Sequence, residues 1–169
     1  TGRAALRAAD PNARAIVSLV DGGEGSSAAA FLRDMVTARP ELAGRIDGVY
    51  VMAVGARSAD QLDTVAARAR AALDATGNSA ARLKLGFGAP TAGPGAMTEE
   101  ARAAFVAEAA SRLPRSDCDV DEAVLFSWTS AQTDSSNAWD WYGVAALGDG
   151  TPTSTAQGFI EMARAFTGY

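Results

Sequence analysis

The sequence predicts an α/β fold of four consecutive βα units with parallel strands, half the number of units in a (β/α)₈ TIM-type barrel. Three observations lead there. Four short apolar runs are each followed by a segment with helical periodicity or a helix start. Strict alternation of strand and helix returns each strand to the sheet through a right-handed crossover, so neighbouring strands run parallel. The runs are apolar along nearly their whole length, as in strands covered on one or both faces. An open doubly wound sheet and part of a (β/α)₈ barrel both satisfy this pattern.

A short helical tail, about residues 4–9, precedes the first strand, expected at about 15–20. Asp21-Gly22-Gly23-Glu24-Gly25 follows it, glycine-rich but without the G-x-G-x-x-G spacing of a dinucleotide loop. The next helix carries Phe31, Leu32, Met35 and Val36 on one expected apolar face. The second strand, about 46–54, leads to Ser58 and Gln61, spaced as a capping box. Leu62, Val65, Ala66, Ala69, Ala72 and Leu73 then keep the 3.6-residue period, and Gly77 is placed to stop the helix. The third strand, about 83–87, is interrupted by Gly86. Thr98-Glu99-Glu100 opens a helix with acids at the positive end of its dipole, and Phe105, Val106, Ala109, Ala110 and Leu113 form its buried stripe. The fourth strand, about 123–128, precedes a long polar loop, and a last helix, about 154–166, carries Phe159, Ile160, Met162, Ala163 and Phe166.

The chain has 169 residues, 15 basic against 20 acidic, for a net charge of -5. That length suits one domain, 1–169. The acidic balance argues against a nucleic-acid partner, and no apolar run approaches the roughly 18 to 20 residues of a membrane span. With no histidine and one cysteine, the commonest neutral-pH base and the paired thiols of a metal site are missing. No metal and no cofactor is expected. Any chemistry falls to carboxylates, hydroxyls, tyrosines or Lys84, the sole lysine.

Several stretches, in order, resemble the C-terminal half of a clan-A glycoside hydrolase, the retaining (β/α)₈ barrels that include cellulase-like and β-xylosidase-like enzymes. Ala8-Ala9-Asp10-Pro11-Asn12-Ala13-Arg14 resembles their join into the fifth strand, and Ile46-Asp47-Gly48-Val49-Tyr50-Val51 their sixth strand. Arg82-Leu83-Lys84-Leu85-Gly86-Phe87-Gly88 stands where a seventh strand reads like W-V-T-E-F-G. Val124-Leu125-Phe126-Ser127-Trp128 and Trp139-Asp140-Trp141-Tyr142-Gly143-Val144 resemble the eighth strand and its loop, and Asp149-Gly150-Thr151-Pro152 the turn before the closing helix.

The resemblance makes the departures informative. The family's nucleophile is the glutamate of T-E-F-G, and Gly86 takes its place; the family's H-P-Y is replaced by Met52-Ala53-Val54. The acid/base glutamate of such enzymes follows a strand that would precede Thr1. A retaining mechanism needs two carboxyl groups roughly 5 Å apart, so catalysis by this chain alone is not expected. Trp128, at the expected strand end, is a candidate platform for a sugar ring, or else a core tryptophan. Trp139, Asp140, Trp141 and Tyr142 form either a recognition surface or a loop that plugs the barrel end. Asp134 and Asn137 lack calcium-loop spacing, Asp21 and Glu24 suit a turn as well as a site, and acidic neighbours should keep Cys118 a thiol.

These readings lead to a non-catalytic glycosidase-like domain, structural or carbohydrate-binding, in a secreted or cell-surface assembly. The alternative is the C-terminal portion of a retaining hydrolase whose acid/base half lies upstream of Thr1. A half barrel exposes sheet edges and an inner face, so an upstream half, a second copy or assembly neighbours are expected to cover it.

Overall fold

Side-chain oxygens placed just ahead of the apolar helical stripes start three of the helices. Ser27, Ser58 and Thr98 accept hydrogen bonds from the backbone N–H groups of Ala30, Gln61 and Ala101. The computed structural model describes residues 2–22 and 27–167, and they form β1 (Ile16–Asp21), β2 (Gly48–Ala53), β3 (Arg82–Phe87) and β4 (Val120–Leu125) with α1 (Gly2–Ala9), α2 (Ala28–Ala38), α3 (Ala59–Ala75), α4 (Glu99–Arg112) and α5 (Ser154–Thr167). The strands pair in parallel in the order β1-β2-β3-β4. Sequential order with right-handed crossovers puts the crossover helices on one side of the sheet. A doubly wound sheet reverses its order and covers both faces, so the barrel half is the architecture found.

Strand residues alternate between the two faces. Val49, Val51, Ala53, Leu83, Leu85 and Phe87 point to the helices and share one core with Leu62, Val65, Leu73, Phe105 and Val106. The other face carries Ile16, Ser18 and Val20 of β1, Tyr50 and Met52 of β2, Lys84 and Gly86 of β3, and Val124 of β4. At its outer strand Ile16 and Val20 stay 47% and 54% exposed.

Several expectations shift. The fourth strand starts and ends three residues earlier than its apolar run suggests, which leaves Trp128 in the following loop. Its acidic start is accommodated locally: Asp121 accepts the Leu83 N–H at 3.0 Å, and Glu122 pairs with Lys84 across the strands. Phe31 leaves the expected buried face and is 57% exposed. Ala28, Ala29 and Leu32 take the core positions instead, and Phe31 lines a groove of about 460 Å³ along the free β1 edge with Val20 and Asp34. In the capping box, Ser58 caps as expected, but the Gln61 side chain accepts from the Arg57 N–H at 2.6 Å, one residue earlier than the motif requires. Gly77 ends α3 with φ +72°. Glu24 and the Phe166 side chain lie outside what is described.

One buried cation fastens the C-terminal third. Arg102, 2% exposed, donates from Nη1 to the Gly143 carbonyl at 2.9 Å and from Nε to Glu99 at 2.9 Å. Glu99 Oε1 accepts the Thr155 N–H and hydroxyl at 3.0 and 2.9 Å. The starts of α4 and α5 and the end of the long loop therefore meet on one ion pair. Burial alone would raise the Glu99 pKa, but the Thr155 hydrogen bonds and the Arg102 charge outweigh it and hold the group at about 2. A carboxylate depressed in the folded state stabilises above its unfolded value and loses that contribution as pH falls. Stability is expected to drop as pH falls from about 4.5 to about 2, with a shallower fall in Glu99→Gln, read by urea unfolding across that range. Arg102→Met should cost about 3 kcal/mol by the same measurement, since it leaves a partly buried carboxylate without its cation.

Candidate functional site

In (β/α)₈ barrels the functional face is the C-terminal end of the strands. The inner-face layer there is Val20, Met52, Gly86 and Val124, aligned across β1 to β4 by register. This layer holds no carboxylate. Tyr50, one inward position down β2, fills the space above Gly86. A Cβ at residue 86 would overlap the Tyr50 hydroxyl and lie 2.6 Å from its Cζ and 2.7 Å from Met52 Sδ. The hydroxyl donates to Met52 Sδ at 3.4 Å. Burial, and then the Glu122 charge, push the Tyr50 pKa up, so the phenol stays protonated at neutral pH. Sequence reading missed Tyr50; its signal was an aromatic residue two positions before Met52 on the same strand face.

The end of β4 approaches β3 closely. A Cβ on Gly88 would overlap the Phe126 carbonyl, and the Phe126 N–H donates to the Phe87 carbonyl at 2.9 Å. The Phe126–Ser127 peptide bond is cis. Beyond it the loop returns its aromatic residues over the strand ends. Trp139 stacks on Tyr142 with centroids 5.4 Å apart and 26° between planes. Phe126 meets both rings edge-on, at 5.9 and 5.5 Å.

The five candidate residues divide by environment. Tyr142 is buried, and its hydroxyl donates to the Val54 carbonyl at 3.0 Å, tying the loop to the end of β2. The Trp141 indole N–H donates to the Asp134 carbonyl at 2.9 Å. The Asp140 carboxylate accepts from the Thr133 hydroxyl at 2.8 Å, the Asp134 N–H at 3.2 Å and the Asn137 amide at 2.9 Å. Trp128 and Trp139 are each 51% exposed. They are the two indoles with area to offer a ligand.

The remaining candidates have local partners. Asp134 accepts the Ser136 hydroxyl and N–H, which hold it below the usual carboxylate range. Asn137 accepts the Trp139 N–H at 3.2 Å and turns the loop. Asp21 is buried on the helix side of β1, accepts the Ala28 N–H at 3.2 Å and has Arg68 3.8 Å away. Burial, then Asp63 and Asp117, push the Cys118 thiol up. No group of three or more His, Cys, Asp or Glu among the described residues could hold a metal ion, and no described helix is long and apolar enough to cross a membrane.

No protein-family model matches the chain, and a search of curated proteins finds no match. Solved structures do match. A glucosidase from Croceicoccus marinus superposes with a TM-score of 0.67 at 27% identity, over 95% of this chain and 34% of that one. A thermostable mutant of a xylanase from Cellvibrio japonicus superposes with a TM-score of 0.64 at 16% identity, over 92% of this chain and 51% of that one. The chain thus spans between a third and a half of the length of these enzymes. With its four-stranded parallel sheet and one-sided helices, it has a partial glycoside-hydrolase fold, half of a (β/α)₈ barrel.

Proposed function

We propose that this is a non-catalytic glycosidase-like domain that binds carbohydrate through the exposed indoles of its long loop, in a secreted or cell-surface assembly. The observation behind the non-catalytic reading is Tyr50. Its ring and the Met52 sulfur occupy the volume that any side chain at residue 86 would need. Trp128 and Trp139 support the binding reading: an indole face takes the C–H face of a pyranose ring, burying apolar area while the sugar hydroxyls stay in water. Trp139 already has one face on Tyr142, so its position is set before a ligand arrives.

A second reading, the C-terminal portion of a retaining hydrolase, is favoured by the open β1 edge and by the partial coverage of the two enzymes. Residue 86 separates the readings. Gly86→Glu with Tyr50 in place should lose about 1 to 3 kcal/mol through overpacking, measured by chemical unfolding, and should hydrolyse no β-glycan even beside an upstream barrel half. Hydrolysis by the double variant Gly86→Glu/Tyr50→Ala in that context would transfer the preference to the enzyme reading.

Binding has its own test. Affinity electrophoresis through gels containing β-glucan or xylan should retard the chain. Trp128→Ala and Trp139→Ala should each weaken binding about tenfold, the scale of a hot-spot aromatic worth about 1.4 kcal/mol. Equal mobility of the wild type with and without every glycan tried would reduce the role to a structural one.

A further inference from the structure

At the opposite end of the sheet, the N-terminal strand ends border a cleft of about 360 Å³ lined by Arg3, Arg7, Arg14 and Arg82, with Asp47 as its one carboxylate. Four arginines line it on a chain whose net charge is -5. Asp47 is fully engaged: Arg3 holds it through Nε at 3.1 Å and Nη2 at 2.6 Å, Arg7 at 2.8 Å, and the Ala15 N–H at 2.9 Å. The Arg3 and Ala15 hydrogen bonds keep it well below the ordinary carboxylate range, so it stays a fixed anion that anchors α1.

The other two arginines are not spent in this way. Arg14 has no hydrogen-bond or ion-pair partner among the described residues, and Arg82 reaches Asp121 only at 3.9 Å, with both side chains substantially exposed. The cleft therefore keeps an excess of positive charge, and two of its guanidinium forks have donors to give. Such forks match the oxygen spacing of a tetrahedral oxyanion, which they bind through paired N–H donors. We infer that this cleft is a binding site for a phosphoryl group, either free inorganic phosphate or the phosphate ester of a sugar, with Arg14 and Arg82 as its ligands and the Arg3–Asp47–Arg7 cluster as its wall. The site lies at the strand ends remote from Trp128 and Trp139, so it stands whether or not those indoles bind glycan.

Isothermal titration calorimetry of the full chain with sodium phosphate, at low ionic strength in a buffer free of other oxyanions, tests it; glucose 6-phosphate is the second arm. Saturable one-to-one binding is expected. Arg14→Ala and Arg82→Ala should each weaken it about tenfold, while Arg33→Ala, an exposed arginine on α2 outside the cleft lining, leaves it unchanged. Neither cleft arginine belongs to the clamp on Asp47, so melting temperatures should hold. Arg14→Lys and Arg82→Lys, which keep the charge and lose the fork, should also weaken binding. A tighter fit for the ester assigns the site to a phosphorylated sugar, and equal affinity assigns it to the free ion. No saturable binding by the folded wild type, unchanged binding in an Arg14→Ala/Arg82→Ala double variant, or an equal loss in Arg33→Ala would overturn the proposal.

Discussion

Helices on one side only is the constraint from which the other features of this sheet follow. It splits every strand into two populations at a period of two residues. Val49, Val51, Leu83, Leu85 and Phe87 face helices and can be uniformly apolar. The residues between them face a concave surface that the described chain does not cover with a helix. Packing sets the first population. The second is free to carry a glycine, a lysine, a tyrosine or a glutamate, as Gly86, Lys84, Tyr50 and Glu122 do.

On that concave face, the positions at 50, 52 and 86 behave as one unit. Glycine at 86 makes room for the Tyr50 ring, and the ring in turn bars a side chain at 86. Met52 closes the arrangement by accepting the phenol's hydrogen bond at its sulfur. Read singly, Gly86 and Met52 are the positions where the family resemblance implies a glutamate and the start of H-P-Y. Together with Tyr50 they fill one space on the inner face of the sheet. A side chain at residue 86 would clash with this packing, and truncating Tyr50 would leave a hole.

Periodicity and capping chemistry exposed much of this fold in the sequence. Alternating strands and helices, the Ser58 cap, the helix start at Thr98, the Gly77 stop and the stripe of α4 are all local signals, and all stand in the structure. Signals that depend on tertiary partners were illegible. β4 begins on Val120-Asp121-Glu122 because Lys84 and the Leu83 N–H wait across the ladder, and no local pattern says so. Phe31 looks like a core residue until the free edge of β1 beside it is known. Arg102 sits at a helical position like any surface arginine, and only the return of the loop at Gly143 buries it. At the site, the aromatic density from Trp139 to Tyr142 was visible as a cluster. The division into two exposed indoles, a buried anchor and a carboxylate that organises the loop depends on hydrogen bonds to Val54, Asp134 and Asn137.

The loop that carries Trp139 is fastened from two directions. Tyr142 holds it to the end of β2, and Arg102 holds Gly143 from beneath, inside the junction of α4 and α5. Loops of this length usually sample many shapes and lose that freedom when a ligand arrives. Here the loss falls on folding. A ligand at the Trp139 ring, as proposed, would meet a surface already in one shape, so its selectivity would rest on fit to that shape rather than on the loop's capacity to adapt.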